Sequence, residues 1–129
     1  MKKYENFCRA YHNLEKSITV MPPYDTITLT GLVGLFEITF EQSWKMMKEI
    51  FEFGGYTESA TGSPRMIIKT AFSAGMIDDE EIWLQALVAR NNVSHSYNEK
   101  IALSIITDTR EIFVDMFAKL KNSVEKDWL

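Results

Sequence analysis

Three side chains that are suited to phosphate chemistry lie within eight residues of one another: Arg90, His95 and Tyr97. Arginine is permanently charged and binds phosphate oxygens in pairs, histidine titrates near neutral pH, and tyrosine offers a hydroxyl group. RNA is cleaved without a metal when a base activates the ribose 2′-hydroxyl and an acid protonates the leaving oxygen, and His95 could serve as either. Arg90 could hold the scissile phosphate and stabilise its growing charge. The spacing therefore indicates a phosphate-chemistry site.

A structural interpretation of the same residues stays open. A histidine at a helix junction is more often a helix cap or a hydrogen-bonded polar group than a catalyst. One histidine also cannot easily act as base and acid in the same step. A symmetric dimer that brings two copies of the stretch together would remove this difficulty, so a catalytic interpretation favours a homodimer.

Neither a metal site nor a cofactor site is indicated by the pattern. His12 and His95 are the two histidines of the chain, and Cys8 is its single cysteine. The acidic run at residues 78–81 is better explained by helix capping than by metal ligation. We expect no metal and no cofactor.

Length and composition predict one globular domain that spans residues 1–129. Hydrophobic residues make up 46% of the chain and charged residues 25%, with six glycines and three prolines. The net charge of −4 opposes a general attraction to nucleic acid, so an RNA substrate would need a local basic patch or a partner protein. The amino terminus lacks the apolar core of a signal peptide, and the most apolar run, 27–40, is too short to span a membrane. With one cysteine, these features predict a soluble, cytoplasmic protein that has no membrane contact.

The first half of the chain predicts three helices. Apolar spacing predicts the first helix over residues 2–17, and Pro22-Pro23 ends it. The second spans about 28–53, carries a favourable Glu41–Lys45 pair and ends at Gly54-Gly55, whereas the alternating stretch 26–30 is ambiguous between helix and strand. A polar loop covers 57–62. Ser63 then caps a short third helix that has Pro64 at its first position and ends at Gly75.

The second half predicts two more helices and a junction between them. Asp78, with Glu81 three residues later, resembles a capping box that starts the fourth helix, which delivers Arg90 in its last turns. Ser96 is predicted to cap the last helix, with Tyr97 in its first turn. The functional side chains would then converge beside a helix N-terminus, which favours anions. The expected fold is all-α: an antiparallel up-and-down four-helix bundle with an extra short helix.

The motif Arg90-x4-His95-x-Tyr97 resembles the signature of the HEPN superfamily. More narrowly, the chain is similar to nucleotidyltransferase substrate-binding proteins, which include HEPN toxins paired with minimal nucleotidyltransferase antitoxins. The resemblance extends over most of the chain through short pieces in the same order and spacing: Phe36-Glu37, Phe40-Glu41, Trp44-Lys45, Ser63-Pro64-Arg65, Gly75-Met76-Ile77-Asp78-Asp79 and Trp83.

The resemblance implies a four-helix bundle that dimerises and a small nucleotidyltransferase as partner. For toxin members it implies metal-independent RNA cleavage by Arg90 and His95, with Asn91 as the supporting polar residue. It also implies that the antitoxin transfers AMP to Tyr97. The alternatives are a non-catalytic subunit that presents a nucleotide or substrate to the nucleotidyltransferase, and a purely structural helical dimer.

Overall fold

Helices account for most of the computed structural model, which describes residues 2–56 and 62–129. A 3-10 turn at Val93–His95 separates the fourth helix from the fifth, and a π turn at Thr109–Phe113 joins the fifth to the sixth without a break. The described residues contain no strand, and the all-α prediction is confirmed. The helices are α1 Lys2–Ser17, α2 Thr26–Phe53, α3 Pro64–Ser73, α4 Glu80–Asn91, α5 Glu99–Asp108 and α6 Val114–Asp127.

Several predicted helix ends are confirmed. Helix α1 has the predicted bounds. The Ser63 side chain accepts a hydrogen bond from the Met66 amide, and Pro64 occupies the first position of α3. Gly55 and Gly75 both have φ of +81°, a left-handed conformation that glycine adopts without strain, so each ends its helix as expected. Of the polar loop predicted for 57–62, residues 57–61 lie outside the described residues.

Two predicted N-caps are wrong, one by a single residue and the other by two residues. Helix α4 is capped by Asp79 rather than Asp78, because the Asp79 carboxylate accepts from the amide of Ile82 at 3.0 Å. Helix α5 is capped by Asn98 rather than Ser96, because residues 93–97 are used by the 3-10 turn and the loop that follows it. Tyr97 therefore precedes α5 and does not lie in its first turn.

The ambiguous stretch 26–30 forms the first turns of α2. The Asp25 carboxylate caps this helix by accepting from the Thr28 amide at 2.7 Å. A satisfied first turn favours helix over an isolated strand, which would leave its backbone groups without partners.

A chain of aromatic contacts links four helices at the centre of the bundle. The Phe117 ring of α6 lies 6.2 Å from the Phe7 ring of α1 and 5.6 Å from the Trp83 ring of α4. The Phe36 ring of α2 lies 5.2 Å from the Phe113 ring, and all five side chains are buried. Rings of this size contribute most of the apolar area in a small core, so these contacts fix the frame that carries α4 and its last turn.

The π turn keeps α5 and α6 on one buried face. Ile105, Thr109, Phe113 and Phe117 are buried at intervals of four residues. In a regular α-helix such intervals drift by about 40° at each step, or about 120° over the series. The additional residue in the π turn absorbs most of that drift, so both halves of the rod face the core.

The π turn also holds the connection between α1 and α2. Arg110 donates through Nη2 to the carbonyl oxygen of Val20 at 2.6 Å and to the Tyr24 hydroxyl at 3.0 Å. The Arg110 side chain thus joins the α1–α2 loop to a turn that lies 90 residues after Val20 in the sequence. Among the residues that the structure describes, no helix combines the length and the apolar character needed to cross a membrane.

Candidate functional site

Arg90 lies in the last turn of α4 and its side chain contacts α2. Its Nε lies 2.6 Å from Oε1 of Glu41, and its Nη1 donates to Oδ1 of Asn91 at 3.2 Å. The Arg90 side chain is 30% exposed and the Glu41 side chain 24% exposed. The packing of α4 on α2 therefore determines where the guanidinium lies, and part of its N–H fork stays available to an anion.

Glu41 is held from a second side by Trp44, whose indole Nε1 donates to Oε2 of Glu41 at 3.0 Å. Oε1 of Glu41 is buried and lacks an aligned hydrogen bond among the described residues, so its contact with Arg90 is a close charge pair. The predicted Glu41–Lys45 pair is wrong: in the part of the chain that the structure describes, the ion partner of Glu41 is Arg90. Sequence spacing missed this contact because the two residues meet only after α2 and α4 pack.

His95 ends the 3-10 turn and its ring faces solvent. The turn is fixed by the backbone, since the His95 amide donates to the carbonyl of Asn92 at 2.9 Å and the Asn98 amide donates to the carbonyl of His95 at 3.0 Å. Within residues 2–56 and 62–129 the ring nitrogens make no hydrogen bond. Asn98 supplies the side-chain cap of α5, so helix capping does not explain why a histidine stands at position 95.

Tyr97 extends from the loop between the 3-10 turn and α5. Its side chain is 87% exposed, and its ring lies 6.5 Å from the His95 ring in an edge-on orientation, measured between centroids. The described residues offer its hydroxyl no hydrogen bond. The arrangement leaves the oxygen accessible to a second protein.

The N-terminus of α5 is less open to an anion than the sequence predicts. Oδ1 of Asn98 accepts from the amides of Lys100 at 3.0 Å and Ile101 at 3.4 Å. Since capping satisfies these donors, an anion here would depend mainly on side chains.

The predicted site residues form two neighbouring groups. His95 and Tyr97 contact each other, and Arg90 contacts Asn91 and Glu41. In the described ranges no hydrogen bond or ion pair joins the two groups directly.

The predicted site is an exposed surface and not a deep pocket. A cleft of about 310 Å³ lies elsewhere, between the α3–α4 connection and α6, and Trp83 and Asp115 are among its lining residues. Arg90, His95 and Tyr97 do not line it. An exposed site of this kind suits a large substrate or a protein partner better than a small enclosed ligand.

Comparison with known proteins places the chain in a family. Residues 2–126 match the family described as nucleotidyltransferase substrate binding protein like. A Haemophilus influenzae protein named probable ribonuclease HepT is 26% identical over 93 residues, which cover 70% of this chain and 63% of that protein. The matched region thus spans less than two thirds of the relative's length.

Two solved structures share the fold. A crystal structure of a Thermus thermophilus protein has a TM-score of 0.79 at 18% identity and covers 93% of this chain and 99% of that one. A Haemophilus influenzae structure, described as revealing the fold of a substrate binding domain of a nucleotidyltransferase, has a TM-score of 0.79 at 20% identity, with 95% and 99% covered. The family match extends over nearly the whole sequence, and the chain belongs to the nucleotidyltransferase substrate-binding protein family.

Proposed function

We propose that this protein is the HEPN-type partner of a minimal nucleotidyltransferase and cleaves RNA without a metal through Arg90 and His95. The observation that carries the proposal is the His95 ring, which is exposed and makes no hydrogen bond in the described residues. A side chain exposed in this way on a turn fixed by backbone hydrogen bonds, five residues after a half-buried arginine of the preceding helix, is available for proton transfer. Family membership and the ribonuclease name of one relative support the same activity.

The chemistry follows from the residue types. His95 of one protomer takes the proton of a ribose 2′-hydroxyl, and the 2′-oxygen attacks the adjacent phosphorus. The bond to the 5′-oxygen breaks, a cyclic phosphate forms, and an acid protonates the departing oxygen. Arg90 stabilises the charge that accumulates on the phosphate oxygens. A homodimer that brings two copies of His95 together supplies both the base and the acid.

Regulation by AMP transfer fits the position of Tyr97. In this step the Tyr97 oxygen attacks the α-phosphorus of ATP bound to the partner nucleotidyltransferase, pyrophosphate leaves, and the phenolic proton passes to a base. The product is a bulky anion attached beside the His95 ring. Its phosphate is a group that Arg90 can bind, so the modification would fill the cleavage site and block RNA.

The direct test is cleavage of RNA by the purified protein in EDTA. We expect His95→Ala and Arg90→Ala each to lower the rate by about 100-fold or more, in the range that general acid–base and charge stabilisation contribute. His12→Ala is the matched control, because His12 is the other histidine, is exposed on α1 and lies outside the proposed site. Melting curves should show all variants folded. Full activity in a folded His95→Ala variant would overturn the proposal.

A second candidate function is a non-catalytic subunit that presents a nucleotide to the nucleotidyltransferase. The net charge of −4 and the capped N-terminus of α5 favour it, since both weaken RNA attraction. This function predicts a stable complex with the partner and heat on titration with AMP or ATP, but no RNA cleavage. Calorimetry on the same samples separates the two functions.

A further inference from the structure

We propose that Glu41 is a positioning residue that fixes the guanidinium of Arg90 for contact with the scissile phosphate, and that Trp44 holds Glu41 in place. The inference rests on the proposed cleavage of RNA and extends it to a helix that contributes nothing to the Arg90–Tyr97 motif. It assigns Glu41 no contact with the substrate: its action passes through Arg90.

The geometry restrains the guanidinium at two points. Oε1 of Glu41, on α2, lies 2.6 Å from Nε of Arg90. Oδ1 of Asn91, on α4, accepts a hydrogen bond from Nη1 of Arg90 at 3.2 Å. An arginine side chain otherwise has many rotamers, and the loss of that freedom is a cost that each phosphate contact must offset. Restraint in the free protein removes this cost before the substrate arrives. The part of the fork that Glu41 does not occupy remains to bind phosphate oxygens.

The carboxylate is itself fixed before it meets Arg90. Its Oε2 accepts from Trp44 Nε1, a donor one turn along the same helix. Its Oε1 is buried, and a buried carboxylate oxygen without a compensating charge is costly. Arg90 provides that charge, so each group stabilises the other in one arrangement.

The competing explanation is an ordinary ion pair that only joins α2 to α4. Such a pair would affect folding, but it would not act specifically through the guanidinium of Arg90. An autoinhibitory pair, in which Glu41 occupies Arg90 and must be displaced, is a further alternative and predicts the opposite change in rate.

The activity test compares Glu41→Ala with Glu52→Ala in the EDTA cleavage assay. Glu52 is a matched control because it lies on the same helix and also forms an ion pair, with Lys48 at 3.9 Å. We expect Glu41→Ala to lower kcat by about 10- to 100-fold with little change in KM, as for other residues that orient a reacting group. Glu52→Ala should keep wild-type values. Glu41→Gln should fall between, because an amide oxygen can still lie against the guanidinium, whereas the charge of the pair is lost and the amide nitrogen cannot accept from Trp44.

A double-mutant cycle then shows whether the effect passes through Arg90. Arg90→Lys keeps the charge but removes the planar fork. If Glu41 acts by orienting that fork, adding Glu41→Ala to Arg90→Lys should lower the rate by less than about threefold. If the double variant loses the product of the two single-variant losses in rate, Glu41 does not act through the fork of Arg90. That result would assign Glu41 to folding alone and overturn the inference. A Glu41→Ala rate equal to or above that of the wild type would overturn it as well.

A spectroscopic measurement separates this inference from the proposed function. The Nε–H group of Arg90 should give a resolved, slowly exchanging signal in ¹⁵N NMR spectra, identified by its loss in Arg90→Lys. We expect the signal to broaden or disappear in Glu41→Ala and to persist in Glu52→Ala. If the wild type does not cleave RNA, the proposed function fails and the positioning role fails with it. If the wild type cleaves RNA but the signal does not depend on Glu41, only the positioning role fails.

Discussion

At the scale of single residues, exposure divides the proposed site into two parts. Arg90 is half-buried and tied to Glu41, whereas His95 and Tyr97 face solvent. Surface substitutions away from specific contacts seldom change stability by more than about 0.5 kcal/mol. Substitutions at His95 and Tyr97 should therefore alter chemistry without altering the fold, while a change at Arg90 also leaves the buried Glu41 carboxylate without its counter-charge.

Tyr97→Phe should keep RNA cleavage and lose the acceptor for AMP. The substitution removes one hydroxyl that makes no hydrogen bond in the described residues, so the melting temperature should stay unchanged. Intact-mass spectrometry after incubation with the partner nucleotidyltransferase and ATP would detect the transfer. Tyr56→Phe is the control and should still be modified. Addition of AMP to the Tyr97→Phe variant would show that another residue is the acceptor.

The sequence contains the short motif of the proposed site, but it did not predict the contact between Glu41 and Arg90. Arg90, His95 and Tyr97 form one short motif, so their types and spacing could be recognised directly. The contact of Glu41 with Arg90 depends on how α2 packs against α4, and the sequence offered Glu41 an equally reasonable partner in Lys45. Local charge rules favour pairs four residues apart and contain no information on pairs between helices.

At the scale of helices, the errors of the sequence prediction concern which of two nearby residues caps a helix. Ser96 and Asn98 are both good N-cap types, as are Asp78 and Asp79. The choice is made by the connection that precedes each helix. The 3-10 turn at Val93–His95 extends the path after α4, which moves the start of α5 to Asn98. Where a single cap was available, as at Ser63, the prediction was confirmed.

Asn98→Ala should lower the free energy of unfolding by about 1 kcal/mol, because it removes the side-chain oxygen that serves two amides of α5. Ser96→Ala should change it by less than about 0.5 kcal/mol, since Ser96 does not cap the helix. Urea titrations of the two variants give both values under the same conditions. Equal losses would mean that α5 starts earlier in solution than in this structure.

At the scale of the whole molecule, the all-α fold was predictable because each helix shows its buried face in its apolar spacing. The aromatic contacts among Phe7, Trp83 and Phe117 then join helices that are distant in sequence. The π turn was not predicted, since a pattern of apolar residues at intervals of three and four is also compatible with an unbroken α-helix. The four-residue spacing of Ile105, Thr109 and Phe113 was the available signal.

The stability of the molecule should respond to pH in opposite directions at two aspartates. Burial, with a smaller effect from the charge of Glu111, raises the pKa of Asp108 above its ordinary 3.8. A raised pKa means that the folded state binds the proton more tightly, so Asp108 reduces stability as pH rises from 3.8 through the folded value. The hydrogen bond from the Thr28 amide lowers the pKa of Asp25, whose stabilising effect is present above 3.8 and is lost as pH falls through the folded value.

Thermal melts of Asp108→Asn and Asp25→Ala between acidic and neutral pH would reveal both effects. We expect Asp108→Asn to gain stability over the wild type as pH rises above about 4, because the variant carries no charge to bury. Asp25→Ala should lose stability relative to the wild type at lower pH, as pH rises through the lowered folded value of Asp25 towards 3.8, with no further change above it. If the melting temperature of either variant changes with pH in parallel with that of the wild type, the cause assigned to that aspartate's pKa shift is contradicted.

The π turn has a consequence for how the length of this chain can vary. Removal of one residue from Thr109–Phe113 would convert the turn into regular α-helix and leave α5 and α6 facing the core, because the turn contains one residue more than an α-helical path requires. A deletion inside a helix usually rotates everything beyond it by about 100°. Here the core would tolerate the shorter chain, and the cost would fall on Arg110 and the α1–α2 loop that it holds. In this geometry the Arg110 tether depends on the extra residue, whereas the packing of the bundle does not require it.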